Sequence, residues 1–169
     1  MSPSSPLPFD PIAEAMRQWR SHGWGDAAPG VGVVTSAVRV QQILAGRAEA
    51  VVRPFGLTFA RYEVLMLLLF SARGEMPLGK IGERLQVGAA SVTNAIDRLE
   101  RDRLVRRRPN PDDGRGVLAV LTARGRALAH EVTDALNEAL FTTVELSSAD
   151  ADALFALLAT LRRRAGDFD

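Results

Sequence analysis

The sequence predicts a mainly α-helical fold with a small β-hairpin. Apolar residues recur at the spacing of amphipathic helices through most of the 169 residues, which indicates several helices. Between residues 104 and 122 the pattern changes to two strand-like runs around the letters PDDGRG, a combination typical of a hairpin. Apolar residues make up 47% of the chain, enough for one hydrophobic core. We therefore expect one domain, or one domain plus an extension that serves oligomerisation.

The N-terminal segment predicts a short helix after a flexible tail. Residues 1–8 are rich in serine and proline, so we expect a disordered tail. Asp10 can cap a helix, and Pro11 suits its first turn. The apolar residues that would share one face of this helix are Ile12, Ala15, Met16 and Trp19.

Two longer helices are predicted next. Residues 25–32 contain glycines and a proline that indicate a loop, and helical periodicity then continues from about Val33 to Arg53, where Pro54 ends it. Thr58 is a capping residue in front of about fourteen helix-forming residues. Because this second helix is apolar nearly all round, we expect it to lie at the centre of the core.

Two short amphipathic helices follow a turn at residues 74–77. Residues 78–85 and 89–104 show apolar residues at helical spacing, and only the letters QVG separate the two segments. A connection this short makes the helices cross steeply, as a DNA-reading helix pair requires.

The chain then changes from helix to hairpin and back. The runs at residues 104–110 and 116–122 predict the two strands. Thr122 caps a helix that runs from about Ala123 to Val144, and Ser147 caps the last helix. The apolar stripes of these two helices are Leu128, Val132, Leu136 and Leu140, and then Leu154, Leu157, Leu158 and Leu161.

The order helix, tight turn, helix and hairpin predicts a winged helix-turn-helix. The second helix of the pair opens with Ala89 and Ala90, whose small side chains let a helix N-terminus approach a major groove closely. Polar residues that can donate to phosphates or read base edges follow, and asparagine suits adenine. They are Ser91, Thr93, Asn94 and Arg98. The alternative interpretation, when this helix is considered alone, is an ordinary amphipathic helix with a solvated polar face.

The predicted hairpin tip carries an arginine between two glycines. Gly114 and Gly116 add no bulk, so Arg115 can approach another molecule closely and suits a narrow, A·T-rich minor groove. Asp112 or Asp113 can hold its guanidinium in position by a charge-assisted hydrogen bond. The alternative is a solvated surface loop.

Three consecutive arginines precede the tip. Side chains alternate between the faces of a strand, so at least one residue of Arg106–Arg108 should face the DNA backbone, and Arg106 and Arg108 are the candidates. A solvated charge run is the alternative. Residues 77–124 hold ten Lys/Arg and six Asp/Glu, a local net charge of +4 in a chain whose net charge is +1. A basic middle of this kind is typical of contact with a polyanion.

The composition argues against several other classes of protein. Without cysteine the chain has no thiolate metal site, and its two histidines, His22 and His130, lie far apart in sequence. No Ser/His/Asp or Cys/His set and no phosphate-binding glycine loop is apparent, so we expect no enzymatic activity, no cofactor and no metal. The longest strongly apolar run, Val64–Phe70, is far shorter than the roughly 20 residues of a membrane span. The N-terminus lacks the features of a secretory signal, so we expect a cytoplasmic location without membrane contact.

Three stretches carry a resemblance to a known family: VTNAIDRLERDRLVRR, DDGRGVLAVLT and the ARG that follows. They resemble the MarR family (multiple antibiotic resistance regulators), and the similarity covers about residues 35–165. It implies a homodimer with one winged helix-turn-helix in each subunit and with the first and last helices intertwined as the dimer interface. It also implies that Arg115 is the wing arginine, with Asp113 as its partner. The residues it assigns to the recognition helix are Ser91, Thr93, Asn94 and Arg98.

The resemblance has departures. The family often has serine where Gly88 precedes the recognition helix, and commonly polar residues in place of Ala89 and Ala90, which leaves fewer base-reading side chains here. Members often sense small anions, phenols or lipophilic compounds. In some of them an arginine of the recognition helix joins the sensing site, but the matching residue is Ala95, so that chemistry is not carried over. Candidate effector-binding residues, with packing or dimer contact as the alternative, are Trp19, Trp24, Arg39, Arg61 and Tyr62.

The sequence thus predicts a homodimeric, sequence-specific DNA-binding regulator of transcription. Repression at a pseudo-palindromic operator in double-stranded DNA is favoured, with release by a small anionic or phenolic effector. A winged-helix module that binds proteins without DNA is the alternative, and a small-molecule-binding enzyme is a more distant third. The expected parts are a tail (1–8), N-terminal dimerisation helices (9–57), the winged helix-turn-helix (58–122) and C-terminal dimerisation helices (123–169).

Overall fold

The computed structural model describes residues 7–111, 113–142 and 145–169, and for residues 113–115 it describes the backbone alone. The chain divides into two compact units, one ending at Ala50 and the other running from Val51 to Asp169. Among the residues described, no helix is long and apolar enough to cross a membrane. The main elements are α1 (Pro11–Ser21), α2 (Ala28–Val52), α3 (Phe59–Phe70), β1 (Glu75–Pro77), α4 (Leu78–Leu85), α5 (Ala89–Arg101), β2 (Val105–Asn110), β3 (Asp113–Leu121), α6 (Ala123–Leu136) and α7 (Ser148–Arg164).

In the N-terminal unit, α1 begins as its sequence predicts. The Asp10 carboxylate accepts a hydrogen bond from the Ile12 N–H at 2.8 Å, and proline occupies the first turn. The loop predicted at residues 25–32 is wrong, because a 3₁₀ turn leads directly into α2, which begins at Ala28. Pro29 is tolerated there because the N–H groups of a first helical turn have no partner within the helix.

In the second unit α3 is the central helix, as predicted. The hydroxyl of Thr58 accepts the Arg61 N–H at 3.3 Å and so caps the helix. The hydroxyl of Tyr62, which is buried, shares a hydrogen bond of 3.1 Å with the Thr133 hydroxyl, and this contact ties α3 to α6. The buried residues of α3 are Tyr62, Val64, Leu65 and Leu68.

The strands form an antiparallel sheet in the order β1–β3–β2. The turn predicted at residues 74–77 is therefore wrong beyond Gly74, the residue whose φ of +67° makes the turn. Met76 of β1 pairs with Ala119 of β3, and Ala119 also pairs with Arg107 of β2. A strand of three residues has no periodic signal of its own, and its partner lies far along the chain, so the local sequence does not mark it.

The start of α6 packs against the base of the wing. The Thr122 hydroxyl accepts the Gly125 N–H at 2.9 Å and lies 2.9 Å from the Arg103 carbonyl oxygen, to which it donates. A Cβ on Gly125 would lie 2.1 Å from the Leu104 carbonyl oxygen, so only glycine fits at this position.

The helix α6 ends earlier than its periodicity predicts. α6 ends at Leu136, and one π-helical turn over Asn137–Phe141 follows. The predicted end at Val144 lies outside the described residues. Ser147 caps α7 as predicted, since its hydroxyl accepts the Asp150 N–H at 3.2 Å.

Two helices carry apolar side chains that remain open to solvent. On α2 these side chains are between 39% and 62% exposed, and on α7 between 44% and 68%. A solvated helix normally carries polar side chains on its outer surface. Several exposed apolar side chains on one helix therefore indicate a surface that a partner covers. The residues are Val33, Val34, Val38, Val40, Ile43 and Leu44 on α2, and Leu154, Phe155, Leu157, Leu158 and Leu161 on α7.

Candidate nucleic-acid interface

A compact turn holds α4 and α5 at a fixed crossing. Gln86 closes α4 with a left-handed φ of 54°, and the Val87 N–H donates to the Gly82 carbonyl at 3.0 Å. A Cβ on Gly82 would lie 3.1 Å from the Val87 carbonyl oxygen, so glycine allows the turn to pack closely. Ile81 of α4 and Ile96 of α5 are fully buried. The opposite side of α5 therefore faces solvent.

The outward side of α5 carries four of the six residues predicted to contact DNA on this helix. At 3.6 residues per turn, Ala90, Ser91, Asn94 and Arg98 fall on one face, and all four are exposed. The remaining two predicted residues, Ala89 and Thr93, lie to one side and line an open groove of about 490 Å³ between α4 and α5.

The N-terminus of α5 is open. Its N-cap residue is Gly88, and no side chain in the described part of the protein caps the first turn. The first N–H groups of the helix then have no side-chain acceptor, and Ala89 and Ala90 beside them are exposed and small. Helix N-termini attract phosphate through such N–H groups and through the helix dipole. The departure from a serine cap thus leaves room for a phosphate of the DNA backbone.

Arg107 joins the wing to the second half of α5. Its backbone N–H donates to Glu100 Oε1 at 2.9 Å, and its guanidinium donates to Glu100 Oε2 at 2.6 Å and to Asp97 Oδ1 at 2.6 Å. The Arg107 side chain is 26% exposed, while those of Asp97 and Glu100 are 49% and 39% exposed. Three hydrogen bonds therefore fix one strand residue to two residues of the recognition helix.

The ionisation of this cluster follows from its hydrogen bonds. The Arg107 backbone N–H and then its guanidinium bind the charged form of Glu100, so the pKa of Glu100 is lowered despite some burial. Burial alone would lower the pKa of Arg107, but its bonds to Glu100 and Asp97 outweigh burial, so the pKa of Arg107 is raised above its ordinary value. Glu100 and Arg107 therefore both stay charged near neutral pH.

The neighbouring arginines point to the other face of β2. Arg108 Nη2 donates to both carboxylate oxygens of Glu75 at 2.8 and 2.9 Å, so this side chain links β2 to β1 across β3. Its buried Nε has no hydrogen-bond partner among the residues that the structure describes. Arg106 is exposed, and no ion pair of its side chain is found in the described part of the chain. Both remain predicted DNA contacts, and Arg106 is the one whose guanidinium is free to reach a phosphate.

The wing tip is described only in part. Asn110 pairs with Asp113 through the backbone, with a register irregularity after Pro109. The predicted contacts of the side chains of Asp113 and Arg115 lie outside what the structure describes, as does Asp112. The predicted role of Arg115 in a minor groove therefore stays a prediction.

The predicted effector residues fall into two groups. Arg61 is bound within its own unit, with Nη2 donating to the Gly56 carbonyl at 3.0 Å and Nη1 lying 3.5 Å from an Asp102 carboxylate oxygen. Tyr62 is 5% exposed and bonded to Thr133, as described above. Both side chains therefore have structural partners within their own unit.

The other three candidates lie in the N-terminal unit. The rings of Trp19 and Trp24 are tilted by 58° with centroids 5.7 Å apart, and both are exposed. Arg39 lines an apolar groove of about 340 Å³ between α1 and α2, together with Val34 and Val38. No cluster of three His, Asp or Glu side chains that could hold a metal occurs in the residues the structure describes.

The sequence prediction missed Arg107 with its partners Asp97 and Glu100, and it also missed Glu75 and Gly125. Because side chains alternate along a strand, Arg107 faces the opposite side of the strand from Arg106 and Arg108. Asp97 and Glu100 are three positions apart, so they lie next to each other on one face of the helix. The sequence contains these signals, but it does not say which helix face the strand would meet.

The fold and the exposed helix face define a winged helix-turn-helix protein. The model of the MarR family matches residues 57–117. Sco5413, a MarR family transcriptional regulator from Streptomyces coelicolor, is 49% identical, with 83% of this chain and 98% of that chain covered and a TM-score of 0.76. A mutant MarR from E. coli complexed with operator DNA is 25% identical, with 80% of this chain and 96% of that chain covered and a TM-score of 0.69.

A curated relative matches a shorter part. The HTH-type transcriptional regulator MhqR of Bacillus subtilis (strain 168) is 32% identical over 77 residues, which is 46% of this chain and 52% of MhqR. The chain thus spans about half the length of the curated relatives it matches. From the extended similarity to Sco5413 and the family match, this chain belongs to the MarR family of transcriptional regulators.

Proposed function

We propose that this protein is a homodimeric, sequence-specific DNA-binding regulator that acts as a repressor in the cytoplasm, by binding and without catalysis. The observation that carries the proposal is the exposed face of Ala90, Ser91, Asn94 and Arg98, held outward by the buried side of α5. A helix presented in this way fits a major groove, where asparagine can read adenine and arginine can bind guanine or phosphate.

The dimer determines the form of the operator. Two recognition helices related by a two-fold axis require a pseudo-palindrome, with half-sites about one helical turn, or roughly 10 bp, apart. The exposed apolar faces of α2 and α7 supply the surface for such a dimer. Each Arg115 would enter the flanking minor groove, and the exposed Arg106 would add a phosphate contact. The existence of a complex between the E. coli relative and operator DNA supports DNA binding by this chain.

An effector would act by shifting the equilibrium between two relative positions of the winged helix-turn-helix parts of the two subunits. A ligand shifts such a balance only when it binds one arrangement more tightly than the other. The exposed tryptophan pair of Trp19 and Trp24 and the groove beside Arg39 suit an aromatic or phenolic anion, because they offer ring faces, apolar walls and a cation. Melting curves with and without small phenols and aromatic acids test this part of the proposal.

Selection of bound sequences from a random duplex library tests the main proposal. A pseudo-palindromic consensus is expected, and its binding should weaken with salt with a log–log slope of about −0.9 for each phosphate neutralised. Binding to no sequence in the pool, or binding that does not respond to salt, would contradict DNA recognition and favour a protein-interaction module instead.

A further inference from the structure

We propose that Arg107 is a positioning residue for DNA recognition, which fixes the wing to the recognition helix so that both reach their grooves together. The inference rests on the proposed function, because it concerns how two DNA-contacting elements act jointly. It goes beyond that function by assigning a role to a side chain, and to two carboxylates, that would not touch DNA themselves.

The contacts of Arg107 are suited to fixing an orientation. Its backbone and its side chain bind the same carboxylate of Glu100, and its guanidinium also reaches Asp97 one turn earlier on α5. Bonds from two separate groups of one residue to two points along a helix restrict both sliding and rotation of β2 against α5. A single ion pair between flexible side chains would not do this.

The two carboxylates are difficult to explain as solvated surface charges. Asp97 is directly followed by Arg98, which belongs to the face proposed to meet DNA. Negative side chains beside a polyanion-binding face weaken binding through charge repulsion. Their presence is consistent with a task that offsets this repulsion, and the bonds to Arg107 supply such a task.

The wing needs an orienting contact because its outer part is thin. β1 pairs with β3 only at Leu118, Ala119 and Val120, so beyond Leu118 the wing is a two-stranded ribbon. The strand β2 continues from Arg107 to Asn110, a reach of about 10 Å at the rise of a β-strand. A tilt of about 15° at Arg107 would therefore move the end of the strand by roughly 2.5 Å, far more than the ~0.5 Å tolerance of a well-positioned site.

Removal of the acids gives a test in which positioning and simple charge repulsion predict different results. Operators with A·T-rich and G·C-rich flanks at the wing positions are compared, and the ratio of their dissociation constants measures how well the wing reads its minor groove. With the double substitution Asp97→Ala and Glu100→Ala, less repulsion alone would tighten binding to both operators and leave the ratio unchanged. Positioning by Arg107 predicts that the preference for A·T-rich flanks falls by about threefold or more.

Further variants separate positioning from phosphate contact and from loss of the fold. Arg107→Ala should reduce the flank preference in the same way. Arg107→Lys keeps the positive charge but has a single nitrogen to share between Glu100 and Asp97, so it should retain part of the flank preference. The matched control is Arg106→Ala on the same strand. It should weaken binding to both operators equally and lower the magnitude of the salt slope by about 0.9, with the flank preference unchanged. Circular dichroism and melting curves check that each variant compared is folded, and Glu100→Ala alone replaces the double variant if that one unfolds.

The outcomes are distinguishable. If folded Arg107→Ala and the acid variant keep the flank preference of the unsubstituted protein, the positioning role is wrong while the proposed function stands. If the unsubstituted protein itself binds no duplex, the proposed function fails first. If it binds its operator without a flank preference, minor-groove recognition by the wing fails, and the positioning role is overturned with it.

Discussion

Gly125 is a residue at which the fold admits no side chain. An added Cβ would lie 2.1 Å from the Leu104 carbonyl oxygen and 2.9 Å from Leu121 Cδ1. The backbone at Leu104 cannot easily yield, because its carbonyl also accepts the Thr122 N–H at 3.1 Å. This contact explains the glycine of the ARG motif as a requirement of close packing between α6 and the base of the wing.

We predict that Gly125→Ala lowers the free energy of unfolding by about 3 kcal/mol, as expected for overpacking against backbone. Denaturant unfolding measures the change. Gly79→Ala is the matched control: it is a helical glycine of the same unit, and a Cβ there meets nothing within 4 Å. That substitution should raise stability by about 0.5–1 kcal/mol, because alanine loses less backbone entropy on folding. Equal effects of the two substitutions would contradict the steric argument.

Arg115 is the single residue on which the proposed minor-groove contact depends. We predict that Arg115→Ala weakens operator binding by about 1–3 kcal/mol, and most on A·T-rich flanks, where the minor groove is narrow and its potential most negative. Titration of labelled operators with each flank measures the loss. An unchanged dissociation constant on the A·T-rich operator would show that this arginine makes no useful contact.

The arginine run shows how far sequence reasoning reaches at the scale of residues. Strand alternation correctly separates Arg107 from Arg106 and Arg108. The choice of Arg108 as a DNA contact did not foresee that its Nη2 donates to both carboxylate oxygens of Glu75, because that partner belongs to a strand the local sequence does not reveal. The identity of a long-range partner depends on the tertiary fold, and a local pattern contains no information about it.

At the scale of elements, the helix starts were predictable and the sheet was less so. Asp10, Thr58, Thr122 and Ser147 all cap the helices that they were expected to cap, since a capping bond joins residues only two or three positions apart. The start of α2 was misjudged, because Pro29 was taken as a sign of a loop although a first helical turn accepts proline. The strand β1 exists only through pairing with β3, so it was missed.

The contact between α5 and β2 should make stability depend on pH. Glu100 has a lowered pKa in the folded protein because Arg107 binds its charged form. For a carboxyl group whose folded pKa is depressed, the stabilisation is present above the unfolded value and is lost as pH falls through the folded pKa. The contribution of Glu100 should therefore be complete well above its ordinary value of 4.5 and disappear below it.

We predict that Glu100→Gln lowers the denaturant midpoint at about pH 7 and has a smaller effect at about pH 3, because the carboxyl group of Glu100 loses its charge as pH falls through its lowered pKa. Glu83→Gln is the control, since Glu83 is exposed on α4 and its side chain makes no ion pair among the residues that the structure describes. A loss of stability for Glu100→Gln that is the same at both pH values would show that the charge of this carboxylate does not stabilise the fold.

At the scale of the whole molecule, the exposed apolar side chains of α2 and α7 indicate that a partner subunit covers these helices. The apolar residues of α7 recur three and four positions apart and share one face, and no residue of this helix is buried. Such a face in water favours association, and a two-fold symmetric partner would cover it on both subunits at once. The same association would set the distance between the two recognition helices, so the oligomeric state and operator binding should change together.

A charge placed on this face should separate the subunits. Leu157 is 68% exposed in the single chain, so Leu157→Asp should cost the isolated subunit little, while at a symmetric interface it would bury two carboxylates. We predict that the dimer dissociation constant rises at least about tenfold, equivalent to roughly 1.4 kcal/mol, and that operator affinity falls with it. Removal of residues 147–165 should abolish the dimer altogether. Sedimentation across a range of concentrations measures the dimer dissociation constant. The matched control is Ala156→Asp on the opposite face of α7, because it adds the same charge to the same helix. If both point variants dissociate alike, or if the truncated chain still sediments as a dimer, the apolar face of α7 is not the dimer interface.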